Sequence, residues 1–296
     1  MKFGADVSDA ALLTGEVSVT LEHESYTTVS LDGERLRDKK IRKSHFVEIG
    51  LKETILTDCD FNHSTFENCY FRKTSFRHVS FVGCTFKDCK FDGAIFSECH
   101  FDHAEFFNCS IGFEQFSSVL ENHQYNARWR LARNLRMNSQ NRGAYDDARL
   151  FLLAELRASE AHNYNKAFNW RDSYYRTKYR WEDRLRGMFA WTASKISNIC
   201  WGHGEKPVRV IIIAVVVATL FAYGYWRYDL QLSNAPADFG FGEYLGFSAA
   251  TFITATYGNL SAVSRSGRIF TTIESIVGFA IFGLFVATLY RRVSKR

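Results

Sequence analysis

Six consecutive residues, Thr254-Ala255-Thr256-Tyr257-Gly258-Asn259, bring hydroxyls, a phenol, an amide and a glycine together inside the most apolar third of the chain. They follow FGEYLGFSAATFI (241–253), which is apolar but too short to cross a bilayer. On either side lie Val208–Trp226 and Ile269–Tyr290, runs of 19 and 22 residues long enough to span. Non-helical backbone at membrane depth is tolerated only where it is buried in protein or lines a water-filled cavity. A short helix followed by a glycine-containing turn between two spans has the layout of a re-entrant pore loop.

Other residues near this segment have chemistry of their own. Glu274 lies about one turn into the second span. An intramembrane carboxylate is functional by default, here as a brace for the pore helix or its turn; its alternative is a residue still within the outer interface. Gly278 and Gly283 are candidate hinges of the second span, with close helix packing as the other reading. Asp229, Asp238 and Glu243 are placed to raise cation concentration at an outer mouth. Lys206 and Arg209 before the first span and the tail RRVSKR (291–296) after the second put both flanks, and so both termini, in the cytoplasm. Residues 230–268 are then outside. No acid–base pair, nucleophile motif, phosphate loop or metal-ligand spacing stands out, so neither enzyme activity nor a resident cofactor is expected.

The stretches SAATFITATYGN, SRSGRIFTTIES and VGFAIFGLFVATLYRR, in that order and spacing, resemble the two-transmembrane potassium-channel family over about ninety residues. The resemblance implies a homotetramer in which four chains contribute backbone oxygens that replace the hydration shell of a monovalent cation, K+ in that family, and the departure at Thr256 extends the expectation to Na+. The selectivity filter it implies is Thr254, Ala255, Thr256, Tyr257 and Gly258, with Asn259 where the family has Asp. The family filter reads T-V-G-Y-G, so Thr256 stands where the first glycine stands. That glycine takes a left-handed backbone, which a β-branched residue resists. An altered filter with weakened potassium preference is expected.

The elements that carry this segment begin with a repeat. From Phe46 to Phe116 an apolar residue, mostly Phe, recurs every five positions, and two residues before each sits a mostly small one. Neither a 3.6 nor a 2.0 period fits; a chain turning a corner every five residues does. The pattern resembles the pentapeptide-repeat family, whose fold is a right-handed, four-sided β-helix in which residues twenty apart stack. Leu21 to Ile41 keep the spacing with unsuitable residues such as Glu34 and Lys39 in the small slot, which reads as a degraded, capping first coil. Six of the seven cysteines, Cys59, Cys69, Cys84, Cys89, Cys99 and Cys109, fill the small inward slot. They read as reduced packing residues rather than metal ligands, which would converge in a tetrahedron. Residues 46–117 hold eleven acids against six bases, too mild an excess for DNA mimicry.

The period stops near Ser118. Two amphipathic helices follow, Arg128–Met137 and one from about Tyr145. Residues 164–201 interleave aromatic and basic side chains, as in an interfacial helix at headgroup level; nucleic-acid contact is not expected. The N-terminal residues have no apolar core of a leader, so no cleaved signal is expected. The architecture expected is mixed: a β-helix at 1–117, a helical cytoplasmic or interfacial linker at 118–205, and a two-helix pore module at 206–296. Two functions follow. One is a multi-pass cell-membrane cation channel, with the bilayer and its own copies as partners and a repeat domain that gates it or docks a cytoplasmic protein or ligand. The other is a membrane-anchored pentapeptide-repeat scaffold with a non-conducting pore module.

Overall fold

The computed structural model describes residues 20–121, 124–202, 206–228, 232, 240–255 and 260–293. The chain divides into two compact units, Met1–Met188 and Phe189–Arg296.

The first unit opens with a four-sided β-solenoid of about four turns. Three-residue strands run from Thr20–Glu22 to Glu105–Phe107. Each pairs in parallel with a strand twenty residues away, so Leu36 lies on Leu56 and Phe66 on Phe86. Corners are turned by residues with left-handed backbone, such as Asp58 (φ 54°), Asn68 (φ 53°) and His103 (φ 60°). Asn, Asp and His tolerate that region best among residues with a side chain. The phenylalanines stack along the axis with centroids 4.6 Å apart for Phe46–Phe66, 5.0 Å for Phe66–Phe86 and 4.9 Å for Phe76–Phe96. That matches the strand spacing of about 4.8 Å, so the backbone ladder and the ring ladder share one period. Burying each ring stabilises by about 1.5–3 kcal/mol.

The six cysteines are buried and unpaired. Cys69, Cys89 and Cys109 donate to the carbonyls of Phe46, Phe66 and Phe86, the same acceptor in successive turns. Burial pushes the thiols of Cys59 and Cys99 up to about 11 and that of Cys84 up to about 12, which leaves little thiolate for chemistry at neutral pH.

Two expectations need correction. The coil from Leu21 to Ile41 is not degraded: Leu31, Leu36 and Ile41 are buried, and Lys39 occupies its inward slot at 1% exposure while Glu34 turns outward. At the other end the repeat stops at Ile111, not Phe116. Glu114 cannot be buried in the small slot, and the chain instead enters helix α1 (Phe113–Glu121). Phe116 still reaches the core, 5.2 Å from Phe101 and 5.4 Å from Phe106, but as a helical plug.

The last turn leaves backbone groups that no further strand can pair. Helix α2 (Tyr125–Asn141) meets them with asparagines. Asn134 accepts from Phe106 N at 2.8 Å; Asn138 accepts from Cys109 N at 2.7 Å and donates to Cys109 O at 2.8 Å. Helix α3 (Tyr145–Phe168) runs beside α2, joined by Arg136 and Glu155 at 2.7 Å. Helix α2 is longer at both ends than the expected Arg128–Met137, and α3 starts at Tyr145 as expected. Short α4 (Ser173–Lys178) and the start of α5 (Trp181–Trp201) close a tyrosine cluster around His162. The ring of His162 meets Tyr175 Oη at 3.2 Å, and burial with Lys166, Lys178 and Arg130 nearby pushes its pKa down to about 4.

Two outcomes are expected. Asn138→Leu strands the Cys109 amide and carbonyl and destabilises the first unit by about 2–4 kcal/mol, read by chemical denaturation. His162 stays neutral in the folded chain while its unfolded counterpart protonates near 6.5. This residue therefore costs stability as pH falls from about 6.5 towards 4, and none above. An NMR titration showing His162 protonated at pH 6 overturns this.

Candidate functional site

The second unit is built on helix α6 (Pro207–Arg227), a short helix α7 (Phe241–Phe252) and helix α8 (Arg265–Val293). Residues Pro207–Arg227 and Arg265–Tyr290 are long and apolar enough to cross a membrane. Proline at the first position of α6 fits a helix start, where its missing N–H is not needed. Helix α7 begins with Glu243 accepting from Gly240 N at 3.0 Å. That carboxylate, proposed from the sequence for an outer mouth, is engaged as a cap. Asp229 and Asp238 lie outside the described residues.

The last turn of α7 accounts for each of its terminal carbonyls. Ala249 O accepts from Ile253 N at 3.3 Å, Ala250 O from Ala255 N at 2.8 Å, and Thr251 O from Thr254 N at 3.1 Å. The six-to-one and five-to-two bonds are those of a Schellman turn. Its left-handed position, where glycine is usual, holds Thr254 with φ 59°. Thr251 O also accepts from Ser275 Oγ on α8 at 3.3 Å. Phe252 O faces Gly278: a Cβ there would sit 2.0 Å from it. Only the glycine hydrogen fits, giving a weak Cα–H···O contact of the kind found where helices touch. A Cβ on Gly283 would meet nothing, and α8 runs unbroken through both glycines.

Glu274 ties the three helices together. It is fully buried. Tyr225 Oη on α6 donates to its Oε2 at 2.6 Å, and Ser248 Oγ on α7 hydrogen-bonds Oε1. Ser248 Oγ also reaches Ala218 O on α6 at 2.7 Å. Around this knot Tyr225 packs edge-on to Phe247 at 5.3 Å and to Phe270 at 5.2 Å. Glu274 therefore lies inside the protein rather than at an outer surface. Its partners Tyr225 and Ser248, and Ser275 beside it, did not stand out in the sequence. The available signal was the one that exposed Glu274, a hydrogen-bonding side chain inside an apolar helix.

Of the six residues from Thr254 to Asn259, Thr254 and Ala255 sit at the end of α7. Thr256, Tyr257, Gly258 and Asn259 lie outside the described residues. An apolar cavity of about 480 Å³ adjoins Thr254, lined by Val210, Ala214, Phe252, Ile253, Gly278 and Phe282 among others.

Comparison with known proteins agrees with this division. A family model described as a pentapeptide repeat region matches residues 59–123, and one described as an ion channel matches residues 210–295. Among solved structures, the pentapeptide repeat protein Rfr23 from the cyanobacterium Cyanothece is 15% identical over 31% of this chain and 84% of its own, with a TM-score of 0.24. HetL, a pentapeptide repeat protein involved in heterocyst differentiation regulation in Nostoc, is 12% identical over 27% of this chain and 39% of its own, with a TM-score of 0.17. No curated protein matches the chain. The chain thus joins a pentapeptide-repeat domain to an ion-channel domain.

The close approach at Gly278 yields a contrast between two glycines on one helix. Gly278→Ala drives a methyl into a backbone carbonyl and is expected to destabilise the second unit by about 1–3 kcal/mol. Gly283→Ala meets open space and is expected to be neutral, or to stabilise α8 by up to about 1 kcal/mol. Thermal unfolding of the detergent-solubilised protein distinguishes them; equal effects would refute the packing role of Gly278.

Proposed function

We propose that four copies of this chain form a cell-membrane channel for monovalent cations, K+ and also Na+, of the potassium-channel-like type. Thr254, Ala255, Thr256, Tyr257 and Gly258 line its narrowest part, and Asn259 follows at the outer end. Both termini are cytoplasmic, and the pentapeptide-repeat domain gates the pore or docks a cytoplasmic partner. The observation that carries this reading is helix α7, which is too short to span, is keyed to both span-length helices through Glu274 and ends in a turn that delivers Thr254. The negative end of its dipole lies at that turn, which favours a cation there.

Ion-channel proteins generally form oligomers in the bilayer. The reading requires this, since one filter strand cannot surround an ion. Helix α8 has surface to spare for neighbours: Phe279, Phe282 and Val286 are exposed in the single chain. The cavity beside Thr254 is likewise apolar space that a neighbouring copy or lipid would fill.

Thr256 sets the expected selectivity. In the family this position is glycine with left-handed backbone, and a β-branched residue there reshapes the ring of carbonyls. The same residue favours a second reading, a membrane-anchored pentapeptide-repeat scaffold whose pore module does not conduct.

Purified protein in a planar bilayer decides between these readings. Under a tenfold K+ gradient balanced by Na+, the channel reading expects a reversal potential well short of the roughly 59 mV of a purely K+-selective pore. Thr256→Gly is expected to move it towards that value. A wild-type reversal at the K+ limit overturns weakened preference. No current from protein shown to be tetrameric favours the scaffold.

A further inference from the structure

Glu274 sits where α6, α7 and α8 meet, and the hydrogens around it can be counted. Three oxygen–oxygen contacts form one chain. Tyr225 Oη meets Glu274 Oε2 at 2.6 Å, Glu274 Oε1 meets Ser248 Oγ, and Ser248 Oγ meets Ala218 O at 2.7 Å. At hydrogen-bonding length each contact needs one hydrogen between its oxygens. The hydroxyls of Tyr225 and Ser248 bring one each, and the peptide oxygen of Ala218 brings none. An ionised carboxylate brings none either. Two hydrogens cannot serve three contacts.

Both ways of placing only two leave a bare approach. If Ser248 donates to Glu274, its oxygen faces Ala218 O with nothing between them. If Ser248 donates to Ala218 O, its lone pairs face a negatively charged carboxylate oxygen. A hydrogen on Oε1 removes the conflict. Glu274 then donates to Ser248, Ser248 donates to Ala218 O, and Tyr225 donates to Oε2. The surroundings favour the same form. Glu274, Ser248 and Tyr225 are all fully buried. Among the described residues no Lys, Arg or His stands close enough to offset a charge on Glu274. A buried carboxyl group with no cation beside it is far cheaper to keep neutral.

We infer that Glu274 carries a proton on Oε1 in the folded chain and is a hydrogen-bond donor, at the head of a relay that runs through Ser248 to the backbone of α6. The relay makes Glu274 a positioning residue for α7. Ser248 is held between α8 on one side and α6 on the other, and Thr254 follows six residues later. Removing the proton breaks the relay at its first bond. The inference rests on the packing of α6, α7 and α8 alone and does not require the pore to conduct.

The test compares the full detergent-solubilised chain with Glu274→Gln, whose amide donates to Ser248 and accepts from Tyr225 in the same places. At about pH 8 free glutamates are ionised. In infrared difference spectra at that pH the wild type is expected to show a carboxylic-acid C=O stretch that the variant lacks. Thermal unfolding gives a second readout. A proton held by the folded chain and lost on unfolding costs stability as pH rises above about 4.3. The unfolding temperature of the wild type relative to Glu274→Gln is therefore expected to fall by several degrees between about pH 5 and 8. α6 faces Glu274 with the Tyr225 phenol and α7 with the Ser248 hydroxyl, and both are common to the two proteins, as is His162. If Glu274→Gln does not fold, wild type labelled at the glutamate carboxyl carbon keeps the first readout, as an isotope-shifted acid band at about pH 8. Carboxylate bands in place of the acid band, or a temperature difference that does not change with pH, would overturn the inference.

Discussion

A buried backbone amide or carbonyl must find a partner, and this constraint shapes both units. In the solenoid each turn satisfies the one before it, so the cost falls on the ends. The last turn is closed by Asn134 and Asn138, whose side-chain amides imitate the missing strand. In the second unit the same need arises at the end of α7. There the turn itself pairs Ala249, Ala250 and Thr251, while α8 meets Thr251 and Phe252 with Ser275 and Gly278.

The two units answer the constraint with different degrees of tolerance. The solenoid is a stack of near-equivalent layers, each touching only its neighbours, so a misfit such as Lys39 is absorbed within one turn. In the α6–α7–α8 unit single residues carry more of the fit: Glu274 connects Tyr225 and Ser248, and Gly278 permits α8 to approach Phe252. Changes at these two residues reach three helices at once.

Legibility in the sequence followed the same line. A five-residue period with Phe at its centre shows in any reading, because each repeat makes the same contacts. Its limits were harder: Phe116 keeps the spacing yet sits on a helix, since spacing cannot tell a residue in the last coil from one plugging it. Lys39 and Glu34 looked equally unfit for the inward slot, and only packing shows that one goes in and the other turns out. The spans were readable from apolar length to within a few residues. The contacts of Glu274 and Gly278 were not, because they join positions 26 to 49 residues apart through single atoms. A lone glycine in an apolar helix looks the same whether it bends the helix or lets a neighbour approach.

Backbone strain links the readable and the unreadable parts. In the sequence the awkward β-branched residue is Thr256, which stands where the family has glycine. The structure shows another at Thr254, whose left-handed backbone costs about 1–3 kcal/mol and persists only where its surroundings over-determine it. They do: the amides of Thr254 and Ala255 are both tied back to α7, and α7 is held by Ser275, Gly278 and Glu274 on α8. The direction in which the chain leaves Thr254 is thus set by the helix that packs behind it. Loosening α8 at Gly278 would release Thr254 towards an ordinary backbone, so the conformation at the end of α7 and the seating of the long helix are one variable rather than two.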